Sequence, residues 1–182
     1  MELKKGMRSD NNALLLLIKD LPNDLIMAEI GCYAGESTLM FLKSGKVKQL
    51  FAIDPWPLKL KGEIKGTKEF IERINYVYSN MSWAEKSFDI RVSPFLNVVK
   101  LKMTFDEAFD SLPGLDFIYI DGDHRYKAII NDIGLAKRII KAGGIIAGHD
   151  YTEESHDVIR AVNESFGKID KIYADSSWVK QL

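Results

Sequence analysis

Short apolar runs alternate with helically spaced segments along this sequence, and this alternation constrains the fold more than any other feature. Runs of this kind, separated by amphipathic segments, are typical of parallel strands joined by helices. The pattern therefore predicts an α/β fold with a doubly wound, Rossmann-like, mostly parallel sheet. We expect strands at residues 25–30, 49–53, 96–101, 115–120 and 145–147, and helices at residues 11–19, 36–43, 67–78, 82–92, 105–112, 126–140 and 155–166.

Capping and turn residues set the expected boundaries of these elements. Ser82, with Glu85 three residues later, predicts the N-cap of a helix. Gly143 and Gly144 predict the C-cap of the helix at residues 126–140. Two short runs at residues 171–173 and 178–180, separated by Ala-Asp-Ser-Ser, predict an antiparallel hairpin at the sheet edge.

The composition limits the classes of protein to which the chain can belong. A length of 182 residues suits a single domain, residues 1–182, and 46% hydrophobic residues suffice for its core. The net charge of −1 disfavours a nucleic-acid partner, and we interpret the lysines of residues 59–68 as a solvated surface. Cys32 is the one cysteine, which suits a reducing compartment. No apolar run approaches the length of a membrane span, so we expect a cytoplasmic protein without a membrane partner.

A glycine-containing loop, residues 29–37, follows the first predicted strand, where open α/β sheets bind their ligands. Gly31 and Gly35 allow the backbone to turn sharply and to approach a ligand closely. Their spacing, Gly-x-x-x-Gly, differs from the Gly-x-Gly-x-x-Gly of dinucleotide-binding proteins. Asp54 ends the second predicted strand, and an acid there can accept both hydroxyls of an adenosine ribose. Together these features predict an adenosyl ligand.

The charge of this loop indicates which adenosyl ligand it suits. A pyrophosphate favours a bare helix N-terminus with cations nearby, whereas Glu29 and Glu36 bring negative charge. A sulfonium ligand that carries an amino group favours carboxylates and aromatic faces, and Tyr33 supplies an aromatic face. The loop therefore favours a positively charged sulfur donor over a diphosphate.

A second polar cluster follows the fourth and fifth predicted strands. Asp121 and His124 come just after the fourth strand, and His149 and Asp150 come just after the fifth. These strands are neighbours in a doubly wound sheet, and the fourth also lies beside the first. We therefore expect both clusters to open onto one crevice beside the glycine loop.

Several residues near these motifs have a structural interpretation beside the functional one. His124 either serves the site or caps the helix that follows, and Asp123 is favoured as an N-cap or turn acid. Trp56 either flanks the adenine or packs, and Tyr151 either lines an acceptor pocket or packs. His156 is expected to be solvated.

Four motifs, in this order and spacing, resemble a known family. They are Glu-Ile-Gly-x-x-x-Gly-x-Ser, Ile-Asp-Pro, Ile-Asp-Gly-Asp-His-x-Tyr and Gly-Gly-x-Ile-x-Gly-His-Asp-Tyr. The chain resembles small class I S-adenosylmethionine-dependent methyltransferases of the macrocin type, which methylate sugar hydroxyls, and is more distantly similar to catechol O-methyltransferases. The resemblance extends from about Leu25 to Phe166. It implies the class I methyltransferase fold and S-adenosyl-L-methionine as the cofactor.

The resemblance also implies roles for individual residues. Asp54 would bind the ribose, and Met103 or Thr104 would border the adenine. The complete set of cofactor-binding residues expected in this way is Glu29, Gly31, Tyr33, Gly35, Ser37, Asp54, Met103, Thr104 and Asp121.

In the sugar-methylating relatives, acids at the positions of Asp121, His149 and Asp150 bind a divalent cation, usually magnesium. This chain departs from that pattern because a histidine, His149, replaces one carboxylate. Magnesium prefers oxygen ligands, whereas a softer divalent metal tolerates imidazole. The resemblance therefore implies a metal site formed by these three residues, with the nature of the metal open.

The implied reaction is O-methylation of a sugar or another small hydroxylated acceptor, with His124 as the general base and Asp121 assisting it. Two other classes stay open. An NAD-dependent oxidoreductase is disfavoured by the missing third glycine and by Glu29. A non-catalytic adenosyl-binding module would keep the glycine loop and lose the second cluster. Because a chain this short leaves no room for a separate substrate domain, a homo-oligomer in which a neighbouring subunit closes the pocket is a further hypothesis.

Overall fold

The computed structural model describes residues 11–56 and 82–182, with side chains from Leu14 onward. The helices are α1 Asn11–Asp20, α2 Glu36–Lys43, α3 at residues 82–92, α4 Phe105–Ala108 with a 3₁₀ turn Phe109–Ser111, α5 Tyr126–Ile139 and α6 His156–Phe166. The strands are β1 Leu25–Ile30, β2 Val47–Ile53, β3 Val98–Leu101, β4 Leu115–Ile120, β5 Ile140–Gly148, β6 Lys171–Ile172 and β7 Trp178–Gln181. The helix expected at residues 67–78 and the lysines of residues 59–68 lie outside the described residues.

The strands form one sheet in the order β3-β2-β1-β4-β5-β7-β6. The first five strands in this order pair in parallel, and β7 pairs antiparallel with both β5 and β6. The central strands β1 and β4 are buried along almost their whole length, as expected for parallel strands covered on both faces. The sheet confirms the predicted doubly wound architecture and its antiparallel C-terminal hairpin.

Helices cover both faces of the sheet because side chains alternate along each strand. On β4, Phe117 and Tyr119 belong to the core beneath α1, α2 and α3, while Ile118 and Ile120 belong to the core beneath α5 and α6. Aromatic rings of the first core pack edge to face. The ring centroids of Phe41, in α2, and Tyr119 are 5.2 Å apart. Within residues 11–56 and 82–182, no helix has both the length and the apolar character needed to cross a bilayer.

Three helix ends differ clearly from the sequence prediction. The helix expected at residues 105–112 is α-helical only to Ala108 and continues as the 3₁₀ turn Phe109–Ser111. Ser82 is itself helical, so it is not the N-cap of α3. Helix α5 ends at Ile139 rather than at the glycines, because Ile140 turns to extended geometry and pairs with Leu115 of β4. Gly143 instead lies inside β5 with a φ of +78°. The C-cap prediction was wrong because pairing with the sheet stops the helix before the glycines are reached.

The C-terminal hairpin is attached to the rest of the fold at both of its sides. Lys171 and Tyr173 bond to Asp20 at the end of α1, at 2.6 and 2.8 Å. On the other side, Trp178 of β7 is almost fully buried and lies so close to Gly148 that a Cβ there would be 2.7 Å from its ring. The hairpin therefore packs directly against the end of β5.

Candidate active site

The glycine loop lies against the end of β4 through Gly31. This residue has a φ of +86°, and a Cβ added to it would lie 2.3 Å from the carbonyl oxygen of Asp121 and 2.6 Å from Cα of Gly122. The two segments also share a hydrogen bond from the amide of Asp121 to the carbonyl of Ile30, at 2.7 Å. Only glycine fits here, because both the left-handed backbone and the close approach exclude a side chain.

Glu29 is fully buried and holds the start of α2. Its carboxylate accepts hydrogen bonds from the hydroxyls of Ser37 and Thr38, the latter at 2.5 Å. Gly35 is the N-cap of α2 with a φ of +81°, and a Cβ there would lie 2.9 Å from the Phe88 ring. The structure thus brings the loop residues Glu29, Gly35 and Ser37 together and gives each of them a role in shaping the loop.

Asp54, at the end of β2, holds the same loop in place through hydrogen bonds to its carboxylate. Its Oδ2 accepts the amides of Cys32 and Tyr33 at 3.0 and 2.8 Å, and its Oδ1 accepts the amide of Trp56 at 2.8 Å. Burial raises the pKa of Asp54 above the usual carboxyl value, although these amides act in the opposite direction. Trp56 is almost fully buried and donates from Nε1 to the carbonyl of Tyr33 at 2.7 Å, which favours the packing interpretation.

Two exposed aromatic rings stand beside the loop. Tyr33 has a φ of +45° and contacts Trp83 of α3 edge to face, with centroids 6.5 Å apart. Both side chains are 43% exposed. Sequence reasoning missed Trp83 because no motif covers its segment, and its helical spacing does not distinguish a surface ring from a core ring.

The two residues expected at the adenine lie just past β3. Met103 is half-buried against the core beneath α5 and α6. Thr104 is the N-cap of α4, and forms a capping box in which its amide donates to Glu107 at 2.8 Å. This cap gives Thr104 a structural role that the sequence prediction did not include.

Two histidines flank Asp150 at the ends of β4 and β5. His124 Nε2 lies 3.1 Å from Asp150 Oδ2, and His149 Nδ1 lies 3.1 Å from Asp150 Oδ1. Asp121 Oδ1 lies farther from both rings, at 3.6 Å from His124 and 3.7 Å from His149. Asp150 has a φ of +57°, which is uncommon for a residue with a side chain. The expected convergence of these four residues is confirmed.

The electrostatics of the cluster favour a charged His124. The nearby carboxylate of Asp121 raises the pKa of His124 above its usual 6.5, burial opposes the shift, and the negative charge of Asp150 adds to it. The side chain remains half exposed and is therefore reachable from solvent. The N-cap of helix α5 is Arg125, and the first helical amide, that of Tyr126, donates to the Asp157 carboxylate at 3.1 Å, so His124 does not cap the helix. Asp123 is the turn acid, because it accepts the amide of Arg125 at 3.0 Å.

The loop of the C-terminal hairpin contacts the cluster formed by Asp121, His124, His149 and Asp150. Ser176 Oγ lies 3.5 Å from His149 Nε2, and the Ser176 carbonyl accepts the amide of Tyr151 at 3.0 Å. The next residue, Ser177, is fully buried and its hydroxyl lies 2.9 Å from the Tyr119 hydroxyl. Tyr151 packs, with its hydroxyl on Asn163 at 2.8 Å. Sequence reasoning missed Ser176, because a serine in a hairpin turn carries no signal of long-range contact.

The donor atoms that converge here do not match the metal site implied by the resemblance. Asp121, His124 and Asp150 each offer an atom within 4.8 Å of the others, and His149 is not part of that group. A set of carboxylates interleaved with imidazoles is also unlike the oxygen-rich surroundings that magnesium prefers. The residues present therefore do not fit a magnesium ion held by Asp121, His149 and Asp150.

Comparison with known proteins identifies the family. The model of a family described as "Methyltransferase domain" matches residues 28–151, which include both the glycine loop and the His124 cluster. The chain belongs to this family. A further relative of the methyltransferase is an uncharacterized protein of Acanthamoeba polyphaga mimivirus, 33% identical over 146 residues. That alignment covers 78% of this chain, and the chain spans 59% of the relative's length.

Solved structures show the same fold at low sequence identity. The N-methyltransferase NodS of Bradyrhizobium japonicum superposes with a TM-score of 0.61 at 13% identity, covering 92% of both chains. Precorrin 8w decarboxylase of Methanobacterium thermoautotrophicum gives 0.61 at 14% identity, covering 91% of this chain and 85% of the other. An rRNA methylase of Streptococcus thermophilus gives 0.58 at 14% identity, covering 91% and 92%. The methyltransferase thus has the Rossmann-like fold of class I methyltransferases.

Proposed function

We propose that this methyltransferase transfers a methyl group from S-adenosylmethionine to a hydroxyl group of a small acceptor, such as a sugar, with His124 as the general base. The observation that carries the proposal is the backbone contact between Gly31 and Asp121. It joins a loop suited to an adenosyl sulfonium to a histidine that is paired with two carboxylates. The resemblance to macrocin-type sugar O-methyltransferases supports the choice of a hydroxyl acceptor.

S-adenosylmethionine, when bound, supplies an electrophilic methyl group that an alcohol oxygen can attack in line with the S–CH₃ bond. The chain would hold it with the glycine loop, Tyr33 and Asp54, whose position at the end of β2 follows the nucleotide-binding arrangement. The buried pair Glu29 and Ser37 would keep the loop in shape for this ligand. Met103 and Thr104 border the same edge of the sheet and are proposed to line the adenine.

His124 has one nitrogen available to take the acceptor proton. Nε2 lies 3.1 Å from Asp150 and 3.6 Å from Asp121, and these two negative charges favour the tautomer that carries its hydrogen on Nε2. The other nitrogen, Nδ1, then receives the proton as the acceptor O–H bond breaks and the O–CH₃ bond forms. S-adenosylmethionine would supply the methyl group and would leave as the neutral sulfide S-adenosylhomocysteine, which balances the transfer. Asp121 and Asp150 stabilise the resulting imidazolium.

The first test is the choice of donor. We expect S-adenosylmethionine and S-adenosylhomocysteine to bind one to one in calorimetry, because the acidic, aromatic loop suits a cation, and NAD and NADP to give no heat of binding. Asp54→Asn should weaken the adenosyl ligands, whereas Asp24→Asn, at the turn before β1, should not. Binding of NAD without binding of S-adenosylmethionine would overturn the proposal. Mass spectrometry of hydroxylated sugars and phenols incubated with the protein would then identify the acceptor class.

The second test is the pH dependence of transfer. A base must be neutral to accept a proton, and the contacts with Asp121 and Asp150 keep His124 protonated to a higher pH than usual. We therefore expect kcat to rise with pH through a midpoint above 6.5, the ordinary pKa of histidine. Asp121→Asn removes one of the charges and should move the midpoint down. A kcat that is flat across this range in the wild-type protein contradicts the role of His124.

A further inference from the structure

We propose that Trp83 is a positioning residue, which holds the ring of Tyr33 where it can receive the positively charged sulfur of S-adenosylmethionine. This inference rests on the methyl donor named in the proposed function, but not on the acceptor or the base. Its starting point is the way in which helix α3 covers the glycine loop. Three side chains of the helix lie against three successive loop residues, which are Tyr33, Ala34 and Gly35.

The backbone of Tyr33 is strained and is held from both sides. Its φ of +45° is uncommon for a residue with a side chain. The amide of Tyr33 donates to Asp54 at 2.8 Å, and its carbonyl accepts from Nε1 of Trp56 at 2.7 Å. A backbone in such a conformation persists only where its surroundings fix it, and strained residues are concentrated at ligand sites. The two hydrogen bonds therefore fix the direction in which the Tyr33 side chain leaves the loop.

Packing in the core does not account for this direction, because the Tyr33 side chain is 43% exposed, whereas Trp56 beside it is 1% exposed. The ring of Trp83 meets the Tyr33 ring at an angle of 60°, with centroids 6.5 Å apart. An edge-to-face contact of this kind covers less of the ring faces than stacking does. The pair therefore keeps electron-rich ring surface open at the carboxyl end of the sheet.

Two further contacts fix helix α3 relative to the loop. Arg91 donates from Nη1 to the carbonyl of Ala34 at 2.7 Å. About one turn earlier, the fully buried Phe88 lies so close to Gly35 that a Cβ there would be 2.9 Å from its ring. These contacts leave the helix little freedom to slide along the loop or to rotate. The N-terminal turn of the helix, which carries the tryptophan, is therefore held beside Tyr33.

The chemistry of the donor indicates what an open aromatic surface would do at this place. The face of an aromatic ring attracts a cation and has no such attraction for a neutral thioether. S-adenosylmethionine and S-adenosylhomocysteine share their adenosine, amino and carboxylate groups, and differ in the methyl group and the charge of the sulfur. A ring that Trp83 holds in position would therefore favour the charged donor over its neutral product. This preference would limit inhibition of the enzyme by the product.

The test measures the affinities of both ligands by calorimetry. Trp83→Ala should weaken S-adenosylmethionine about 3- to 10-fold, the range of a cation–π contact, and leave the affinity for S-adenosylhomocysteine unchanged. Trp83→Phe should restore most of the loss, because a phenyl ring can keep the edge-to-face contact. Ile90→Ala is the matched control, since Ile90 is a 74% exposed apolar residue of the same helix, and it should change neither affinity. Equal weakening of both ligands in Trp83→Ala, or an unchanged ratio of the two affinities, would overturn the inference.

A double substitution tests whether Trp83 acts through Tyr33. Tyr33→Leu removes the ring and should lower the affinity for S-adenosylmethionine relative to S-adenosylhomocysteine. Adding Trp83→Ala should then change this ratio no further, because no ring is left to position; an additive loss would contradict the positioning role. A wild-type protein that binds neither ligand would overturn the proposed donor together with this inference. Binding of both ligands without methylation of any hydroxyl group would contradict only the proposed acceptor and base.

Discussion

Replacing His124 with alanine should lower the rate of methyl transfer by about 10²- to 10⁴-fold, the range typical of a lost general base. An alcohol is a weak nucleophile until its proton leaves. His124, the proposed base, is half exposed and lies 3.6 Å from Asp121 and 3.1 Å from Asp150. Binding of S-adenosylhomocysteine should not change, because no described contact links the imidazole to the glycine loop or to Asp54. Single-turnover transfer and calorimetry measure the two quantities separately.

The matched control for this substitution is His156→Ala. His156 begins α6 and is exposed. Its removal should leave both transfer and binding at wild-type values. Full activity in His124→Ala would reject the base assignment, and a parallel loss of S-adenosylhomocysteine affinity would show that the ring supports the cofactor site instead.

Gly31→Ala should destabilise the protein by about 3–5 kcal/mol, in the upper range for single substitutions. The added methyl group would meet the carbonyl of Asp121 at 2.3 Å, and both partners are backbone atoms that cannot turn aside. Relief of this overlap must separate the ends of β1 and β4, which moves the loop away from Asp54. We therefore also expect at least a tenfold loss of affinity for S-adenosylmethionine. Urea denaturation and calorimetry measure the two effects.

Gly45→Ala separates backbone strain from steric overlap. Gly45 has a φ of +72°, close to the +86° of Gly31, but an added Cβ would have no atom within 4 Å. The substitution should therefore cost only the strain of a left-handed alanine, about 1–2 kcal/mol, and leave ligand affinity intact. If both variants lose the same stability, the contact between Gly31 and Asp121 has no energetic importance.

Much of the fold could be predicted from the sequence, because the local pattern of apolar residues agrees with the place of each segment in the sheet. The strands β1 and β4 carry near-continuous apolar runs, and both were predicted with their observed bounds. The end of α5 was not, because a glycine stop is a local signal and the pairing of Ile140 with Leu115 is not. Sheet pairing between distant segments decides such boundaries, and a single sequence does not contain it.

The candidate site was likewise predicted only in part from the sequence. The cluster of Asp121, His124, His149 and Asp150 was predicted, because strand ends in a parallel sheet meet at one edge. The position of Ser176 behind His149 was not, because it depends on how the hairpin packs on β5. The order within the cluster was equally inaccessible: residue types give its charges, but only the coordinates show that Asp150 lies between the two rings.

The attachment of the hairpin to β5 has a consequence for how the enzyme loses function. Strand β6 is two residues long and exposed, and such outer strands exchange their amide hydrogens before the centre of a sheet does. Ser176 and Trp178 brace the turn that carries His149 and Asp150. Fraying of this sheet edge would therefore displace the side chains proposed to serve proton transfer while the buried strands stay intact. We therefore expect methyl transfer to be lost on heating or in denaturant before the circular dichroism signal of the fold changes.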